Sequence, residues 1–311
     1  MPEPSFAPPD PRDVDPQAVR RGFARAAATY DAGAALQREI GARMAQRLDV
    51  VKLAPAAILD AGCGTGEAVG ELAARYPAAR VIALDIALPM VAAARQRARA
   101  RRSVLARLLR PLATGRLVHA PAFICGDINA LPFAGVSLDL VWSNLALQWV
   151  NDLPRAFAEF RRGLRVGGLL SFTTFGPDTL REVRSAFAGV DGSTHTNRFV
   201  DMHDIGDMLV HAGFADPVMD MEYVTLTYDA PRALLAELKA IGATNRTRGR
   251  PHGLMGRRRF ARVLARLERA RKDGRIPATF EVVYGHAWKG EPRTTAEGHP
   301  IVRLQRPGRP R

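Results

Sequence analysis

The 311-residue chain lacks several features that would assign a protein to a class at once. Its two cysteines, Cys63 and Cys125, are too few for a disulfide framework and do not form a metal-binding set. Its seven histidines show no HxxxH or HExxH spacing, so we expect no bound metal. No apolar run approaches the roughly 20 residues of a membrane span, and the first 16 residues have no apolar stretch typical of a secretory signal. These absences favour a protein of the reduced cytoplasm, away from membranes.

Acidic residues are also scarce beside basic ones, and the formal net charge is +14. The excess lies in two stretches: residues 95–116 hold eight arginines and no acid, and residues 246–275 hold eleven arginines and one lysine against two acids. A concentrated positive potential favours an acidic partner, although arginine could equally be a generic surface residue of a high-GC genome. The stretches contain almost no aromatic residue, unlike those of single-strand nucleic-acid binders, so we do not expect a nucleic-acid partner.

The most informative stretch is residues 57–67, AILDAGCGTGE. Its apolar start predicts a buried parallel strand that ends at Asp60. Gly62, Gly64 and Gly66 then predict a loop where the backbone can approach a ligand with no Cβ in the way. A helical pattern follows, so the unit is strand, glycine loop and helix. Such a unit is typical of a nucleotide-like cofactor site.

The glycine loop does not match the phosphate-binding motifs. The dinucleotide fingerprint needs Gly or Ala where Glu67 stands, and no P-loop Lys-Ser/Thr pair follows. A D-x-G-x-G-x-G loop suits instead the amino-acid end of S-adenosylmethionine (SAM). The second predicted strand, 81–84, is followed by Asp85, whose carboxylate can accept both hydroxyls of a ribose. The loop alone could be a structural turn, but together with Asp85 it predicts a nucleoside site.

Two further strand ends point to the same edge of the predicted sheet. After strand 122–125, Asp127 could accept from an adenine amino group while Ile128 covers the ring, or Asp127 could simply cap a turn. The fourth strand, 138–143, continues into the loop 144–149. Ligands bind beyond the carboxyl ends of strands in open α/β sheets, so we expect this polar and aromatic loop to face the reacting centre.

The alternation of strands and helices predicts an α/β fold. Five strand–helix alternations and a late pair of longer strands indicate a seven-stranded, mostly parallel sheet with one antiparallel strand and helices on both faces. We expect the following organisation along the chain: a disordered N-terminus at 1–15, a helical N-terminal cover at 16–55, the main domain at 56–289 with a helical insertion at about 231–277, and a disordered basic tail at 290–311.

Several blocks of the sequence resemble a known family. LDAGCGTG (59–66), ALD (83–85), GDINALPF (126–133) and the loop 142–149 resemble class I SAM-dependent methyltransferases, which have a Rossmann-like fold. A narrower resemblance, to the malonyl-acyl-carrier-protein O-methyltransferases of biotin synthesis, rests on blocks outside the cofactor motifs: FARAAATYDAGAALQ (23–37), WSNLALQW (142–149), FTTFGPDTL (172–180), NRF (197–199) and LKAIGATN (238–245). It covers about residues 20–288. The segment 95–116 is longer than the family's usual connection, and the C-terminal tail is extra.

The resemblance implies methyl transfer from SAM to the free carboxylate of a malonyl thioester. It also implies an acidic acyl carrier protein as partner, for which residues 246–275 are a plausible docking surface. The residues that it assigns to the cofactor are Asp60, Gly62, Gly64, Gly66, Asp85, Ile86, Met90, Asp127, Ile128, Asn144 and Gln37. The candidates that it suggests for positioning the substrate are Tyr30, Arg198, Lys239, Asn245, Gln148 and Trp149.

Most substrate candidates have a simpler interpretation. Arg198 could be a surface arginine that pairs with Asp201, Lys239 could snorkel along an apolar helix face, and Tyr30 and Trp149 could pack in the core. Two other functions also stay open. The first is methylation of another small carboxylate such as aconitate, and the second is a SAM-binding assembly factor or hydroxylase that transfers no methyl group.

Overall fold

The computed structural model describes residues 10–109, 119–251 and 253–291, with side chains up to residue 101 in the first range. Of the ends expected to be disordered, 1–15 and 290–311, residues 1–9 and 292–311 lie outside the described residues, as do residues 110–118 of the Arg-rich segment. Within the described part, no helix combines the length and apolar character needed to cross a bilayer.

The helices and strands alternate along the chain as the sequence predicts. The helices are α1 (Pro16–Ala26), α2 (Tyr30–Gly33), α3 (Ala35–Arg47), α4 (Glu67–Arg75), α5 (Leu88–Leu109), α6 (Leu153–Gly163), α7 (Arg181–Phe187), α8 (Met202–His211), α9 (Pro231–Ala240) and α10 (Arg257–Arg269). The strands are β1 (Ala57–Ala61), β2 (Arg80–Asp85), β3 (Ala122–Cys125), β4 (Leu138–Asn144), β5 (Leu164–Phe175), β6 (Ala215–Tyr228) and β7 (Ile276–Trp288).

The strands form one seven-stranded sheet in the order β3-β2-β1-β4-β5-β7-β6. The pairs from β3 to β5 are all parallel, whereas β7 runs antiparallel to both β5 and β6. The expected Rossmann-like sheet with a single reversed strand is therefore confirmed. The order reverses beside β1 and β4, and the carboxyl ends of these strands form the crevice where open α/β sheets bind ligands.

Both faces of the sheet are covered, because successive strand residues point to opposite sides. Ile58 belongs to one apolar cluster and Leu59 to the other. The first cluster takes side chains from α3, α4, α7 and α10, and the second from α6 and α8. The central strands are thus buried on both sides, as their continuous apolar runs indicate.

One helix is shorter than its sequence pattern indicates. The sequence of residues 178–190 has the apolar spacing of a helix, but only Arg181–Phe187 forms one. The preceding residues instead bind to β7: the Glu281 carboxylate accepts from the Asp178 backbone N–H at 2.7 Å, and Thr179 Oγ1 donates to the Glu281 carbonyl at 3.1 Å. These bonds to a strand about a hundred residues later replace the first helical turn.

Candidate active site

The glycine loop after β1 has a backbone that only glycine adopts easily. Gly62, Gly64 and Gly66 have φ of 82°, 52° and 80°, the left-handed region that costs other residues energy. A Cβ at Gly62 would lie 2.3 Å from the Cβ of Ala146, and one at Gly66 would lie 2.7 Å from the Cβ of Ala94. Gly62 and Gly66 therefore also allow the loop to pack against the loop after β4 and against α5.

Asp85 ends β2 with both carboxylate oxygens bonded to the backbone. Oδ2 accepts from the Gly64 N–H at 3.0 Å and Oδ1 accepts from the Ala87 N–H at 2.8 Å. Burial raises the pKa of this carboxyl, while the backbone bonds oppose that effect. Each oxygen keeps lone pairs beyond those bonds, so Asp85 can still accept hydroxyl groups from a ligand in the cavity that it lines.

Asp60 is the second carboxylate of the site, and its surroundings do not stabilise its charge. The residue is 2% exposed, and Oδ2 has no hydrogen-bond partner within the described structure. Burial, with a smaller contribution from the charge of Asp85, raises the pKa of Asp60 to about 7. A buried, unpartnered carboxylate oxygen is costly, so this position suits a cationic ligand group.

The N-terminal helices close over the glycine loop. Thr65 Oγ1 donates to the Asp31 carboxylate at 2.6 Å, and Arg97 pairs with both Asp31 and Glu67. Tyr30, at the start of α2, lies above the loop, with its Cε1 atom 3.8 Å from where a Cβ on Gly64 would be. Gln37 on α3 has a buried Oε1 without a partner among the described groups.

These elements enclose a cavity of about 320 Å³, which we call the cofactor cavity. Of the residues assigned to the cofactor from the sequence, those that line it are Gln37, Gly62, Gly64, Asp85, Ile86, Met90, Asp127, Ile128 and Asn144. Asp60 lines a smaller neighbouring space of about 70 Å³ beside the glycine loop, and Gly66 starts α4 behind the loop. Asp127 also caps a turn, because its Oδ1 accepts from the Asn129 N–H at 2.8 Å.

Two further cavities continue from the cofactor cavity toward the surface. The inner pocket, about 180 Å³, shares with the cofactor cavity the side chains of Gln37, Gln148, Trp149, Phe175, Ile241 and Ala243. The outer vestibule, about 480 Å³, shares with the inner pocket the side chains of Phe187, His195, Thr196, Asn197 and Phe199. The three spaces therefore follow one another from the glycine loop to the loop before α8.

Three of the six substrate candidates line the cofactor cavity, and two of these also line the inner pocket. Tyr30 lines the cofactor cavity, and burial raises the pKa of its hydroxyl, with the charges of Asp85 and Asp31 adding to the effect. Gln148 and Trp149 line both inner cavities. Gln148 Nε2 donates to the Leu145 carbonyl at 2.6 Å, and the Trp149 ring meets Phe23 edge to face at 5.2 Å.

The other three candidates lie farther out. Asn245 lines the inner pocket, but its amide is occupied: Nδ2 donates to the Thr194 carbonyl at 2.5 Å and Oδ1 accepts from Thr247. Arg198 is exposed and lines the outer vestibule. Asp201 accepts instead from His203. Lys239 is exposed on α9 and lines none of the three cavities.

His195 lines the inner pocket, although no motif in the sequence marks it. Its Nε2 lies 2.7 Å from Asp191 Oδ1, and its ring stacks on Phe187 with centroids 4.5 Å apart. Across the described part of the chain, no other histidine and no lysine or arginine lines the inner pocket. His195 stands three residues before Arg198, but its spacing matches no motif, so no signal in the sequence marked it.

The fold and the site define a class I SAM-dependent methyltransferase. Residues 59–172 match the family described as "Methyltransferase domain". The solved structure of the YcgJ protein from Bacillus subtilis has a TM-score of 0.53 at 17% identity, and the match covers 80% of this chain and 98% of that one. At that identity, the likeness concerns the fold alone.

Two curated relatives narrow the class. The chain is 55% identical over 290 residues to the malonyl-[acyl-carrier protein] O-methyltransferase of Gallionella capsiferriformans, a match that covers 93% of this chain and 96% of that one. It is 56% identical over 280 residues to the protein of the same name from Laribacter hongkongensis, covering 89% and 90%. The chain belongs to the malonyl-[acyl-carrier protein] O-methyltransferase family, and the resemblance seen in the sequence is confirmed.

Proposed function

We propose that this protein transfers the methyl group of SAM to the free carboxylate of a malonyl thioester held on an acyl carrier protein, an early step of biotin synthesis. The observation that carries the proposal is the identity above one half with two such enzymes over about nine tenths of the chain. The cavities supply the physical support, since the cofactor cavity and the inner pocket meet. We call the wall that they share, which includes Gln37, Gln148 and Trp149, the junction.

The cofactor cavity and the small space beside the glycine loop together suit SAM group by group. The SAM ammonium would be the positively charged hydrogen-bond partner that Asp60 Oδ2 lacks. The ribose hydroxyls would donate to the free lone pairs of Asp85. The adenine would lie against Ile128, within reach of Asp127. Gln37, which lines the cofactor cavity and the small space beside the glycine loop, would bind the cofactor's carboxylate. The helices α1–α3 serve in this proposal as a cover that excludes water.

The chemistry asks for positioning rather than for a base. The malonyl carboxylate is already ionised at neutral pH, so no proton has to be removed. One carboxylate oxygen attacks the methyl carbon in line, the new O–CH₃ bond forms, and the S–CH₃ electron pair returns to sulfur. Holding oxygen, carbon and sulfur in line can lower the barrier by several kcal/mol. The reaction itself needs no metal, because the group that leaves the methyl carbon is a neutral thioether, which needs no further activation.

The charge at the junction agrees with this reaction. The carboxylate and the sulfonium neutralise each other in the transition state, so a dry, uncharged junction favours transfer, whereas a tight cationic clamp on the attacking oxygen would oppose it. The described residues at the junction include no lysine or arginine. Tyr30 keeps its proton because its pKa is raised, so its neutral hydroxyl can hold one carboxylate oxygen while the other attacks.

The partner in this proposal is an acidic carrier protein that docks on the basic residues 246–275. Helix α10 lies within this stretch and begins with three successive arginines. A positive surface of this kind speeds encounter with an acidic protein and aligns it.

The direct test is transfer of labelled methyl from SAM to the malonyl carrier protein, with malonyl-coenzyme A and aconitate measured alongside. Base-labile label on the malonyl carrier is the expected result, because a methyl ester hydrolyses in base. Label on aconitate alone would replace the proposal by methylation of another small carboxylate. Binding of SAM without label on any acceptor would contradict methyl transfer and favour an assembly factor.

A further inference from the structure

We propose that the outer vestibule binds the 4′-phosphate of a phosphopantetheine thioester, with Arg198 as the principal phosphate ligand. The inference rests on the proposed function and adds to it the point at which the thioester arm enters. This point is the vestibule end of the passage that the cofactor cavity, the inner pocket and the outer vestibule form together. It also gives Arg198 a different task from the one that the sequence suggests, since the guanidinium would hold the far end of the substrate and not the carboxylate that reacts.

The two ends of the passage carry opposite charge. The cofactor cavity is lined by the carboxylates of Asp85, Asp127 and Asp152 and, within the described part of the chain, by no lysine or arginine. The outer vestibule is lined by three arginines, Arg12, Arg184 and Arg198, against one carboxylate, Asp191, which is bonded to His195. Charge concentrated in a cleft raises the local concentration of a ligand of opposite sign. A sulfonium therefore prefers the first end, and a phosphate prefers the second.

The three vestibule arginines differ in how free they are. Arg12 is held by Asp10 through Nε at 3.0 Å and Nη2 at 2.7 Å. Arg184 gives Nη2 to the carbonyls of Pro177 and Thr179. Arg198 is exposed, and none of the described residues forms a hydrogen bond or ion pair with its side chain. It is thus the vestibule guanidinium with most donors left for a phosphate.

The positive charges of Arg12 and Arg198 also act on the Asp10 carboxyl. The pKa of the Asp10 carboxyl is lowered to about 2, chiefly by its hydrogen bonds from Arg12, and the charge of Arg198 contributes at longer range.

The shape of the passage fits a long neutral arm behind a charged end. Polar groups of His195, Thr196 and Asn197 stand at the neck between vestibule and inner pocket, where the amides of a pantetheine chain would pass. The inner pocket beyond is mostly apolar, with Leu235 and Leu238 in its wall. Its far side is the junction with the cofactor cavity, so an arm that runs through it brings an acyl group to the methyl donor.

The neck is ordered by bonds from a distant part of the chain. The Thr194 N–H donates to the Gly249 carbonyl at 3.2 Å, and the Thr194 carbonyl accepts from Asn245 Nδ2. A loop fixed in this way loses less conformational freedom when a ligand binds, which favours affinity.

The basic helix α10 lies beside this opening. Arg266 donates to the carbonyls of Ala186 and Ala188 at 3.2 and 2.6 Å, in the segment that leads into the vestibule. The pKa of Asp191 is lowered mainly by its bond with His195, and the charge of Arg259 also contributes. A carrier protein that docks on α10 would therefore place its arm at the vestibule, and both recognition elements lie on one face.

The test compares thioesters that differ only in the phosphate. KM is measured for malonyl-phosphopantetheine and malonyl-pantetheine with the wild-type protein, Arg198→Gln and Arg198→Glu. We expect KM for the phosphorylated substrate to rise about 10-fold in Arg198→Glu, and less in Arg198→Gln, while kcat and the KM for malonyl-pantetheine stay unchanged. Arg80→Glu is the matched control, because Arg80 is exposed at the start of β2, on the opposite edge of the sheet. Equal rises for both substrates, or no rise for the phosphorylated one, would overturn the proposal.

A binding measurement separates this inference from the reaction. Phosphopantetheine and pantetheine are titrated calorimetrically into the protein saturated with S-adenosylhomocysteine. Wild-type protein should bind the phosphorylated compound about 10-fold more tightly, and Arg198→Glu should lose that preference. If this holds while no thioester is methylated, the proposed function fails and the phosphate subsite stands. If methylation proceeds without any phosphate preference, the subsite fails and the function stands. Malonyl-coenzyme A and the malonyl carrier protein, run in parallel, show which source of the phosphate is preferred.

Discussion

Asp60→Asn is predicted to stabilise the ligand-free protein and to weaken its binding of SAM. The rise in pKa from 3.8 to about 7, at about 1.4 kcal/mol per unit, means that ionising Asp60 in the folded protein costs about 4 kcal/mol. Since the folded pKa lies above the unfolded one, this cost is absent below about pH 4, grows as the pH rises, and is complete above about pH 7. Asparagine cannot ionise and removes the cost.

The gain is smaller than the full cost, because the asparagine amide has to be buried as well. A buried donor without an acceptor costs about 1–3 kcal/mol, so we expect a net gain of about 1–3 kcal/mol near pH 8 and almost none near pH 5. For a chain of this size, this corresponds to a Tm increase of about 2–6 °C at the higher pH. The loss of a charge-assisted bond to the SAM ammonium should weaken SAM binding about 10- to 100-fold.

Thermal unfolding between about pH 5 and pH 8, with and without SAM, measures both effects. Asp139→Asn is the contrasting control, because Asp139 accepts from the N–H groups of Ala56 and Ala57 at 2.9 and 2.8 Å and pairs with Arg165. That variant should lose stability at neutral pH. A Tm for Asp60→Asn that is lower than wild type at every pH, or a gain that does not change with pH, would refute the proposal that Asp60 is a buried, unpartnered carboxylate that binds the cofactor.

Three further outcomes follow from the site. Tyr30→Phe removes a neutral donor from the cofactor cavity, so kcat should fall about 10-fold, the cost of one lost hydrogen bond, while the Kd for SAM from calorimetry stays within about 2-fold; an unchanged kcat would exclude a role for Tyr30 in the reaction. Gly62→Ala should lower stability in denaturant by about 2–4 kcal/mol, from backbone strain and overpacking together, because its Cβ would meet that of Ala146 at 2.3 Å. Gly167→Ala, with a similar φ of 77° and nothing within 4 Å, should cost about 1 kcal/mol, the backbone term alone; equal losses would show that the contact with Ala146 is unimportant. Reversing the charge of the three arginines at 257–259 should raise KM for the malonyl carrier protein and spare malonyl-pantetheine in steady-state assays, and equal effects on both would exclude docking there.

Local chemistry determined the cofactor end of the site. The unit of strand, glycine loop and helix is continuous in sequence, and the left-handed backbone at Gly62 needs glycine whatever surrounds it. Parallel strands bring their carboxyl ends to one edge, so the strand pattern alone is enough to place together residues that follow separate strands, such as Asp60 and Asp85. The sequence blocks shared with the methyltransferase family are also local, since each is a short continuous stretch. They therefore indicated the class of protein without any knowledge of the tertiary structure.

Packing between distant segments decided the substrate end. Asn245 is a polar candidate in the sequence, but contacts with Thr194 and Thr247 occupy its amide. His195 reaches the neck of the inner pocket only because the loop that carries it is bonded to residues about fifty positions later. No periodicity or spacing encodes such pairings, since each depends on where two separate loops meet. The sequence by itself therefore determined the sheet and the glycine loop, whereas the tertiary structure decided which polar side chains face the passage and which form the hydrogen bonds that fix its walls.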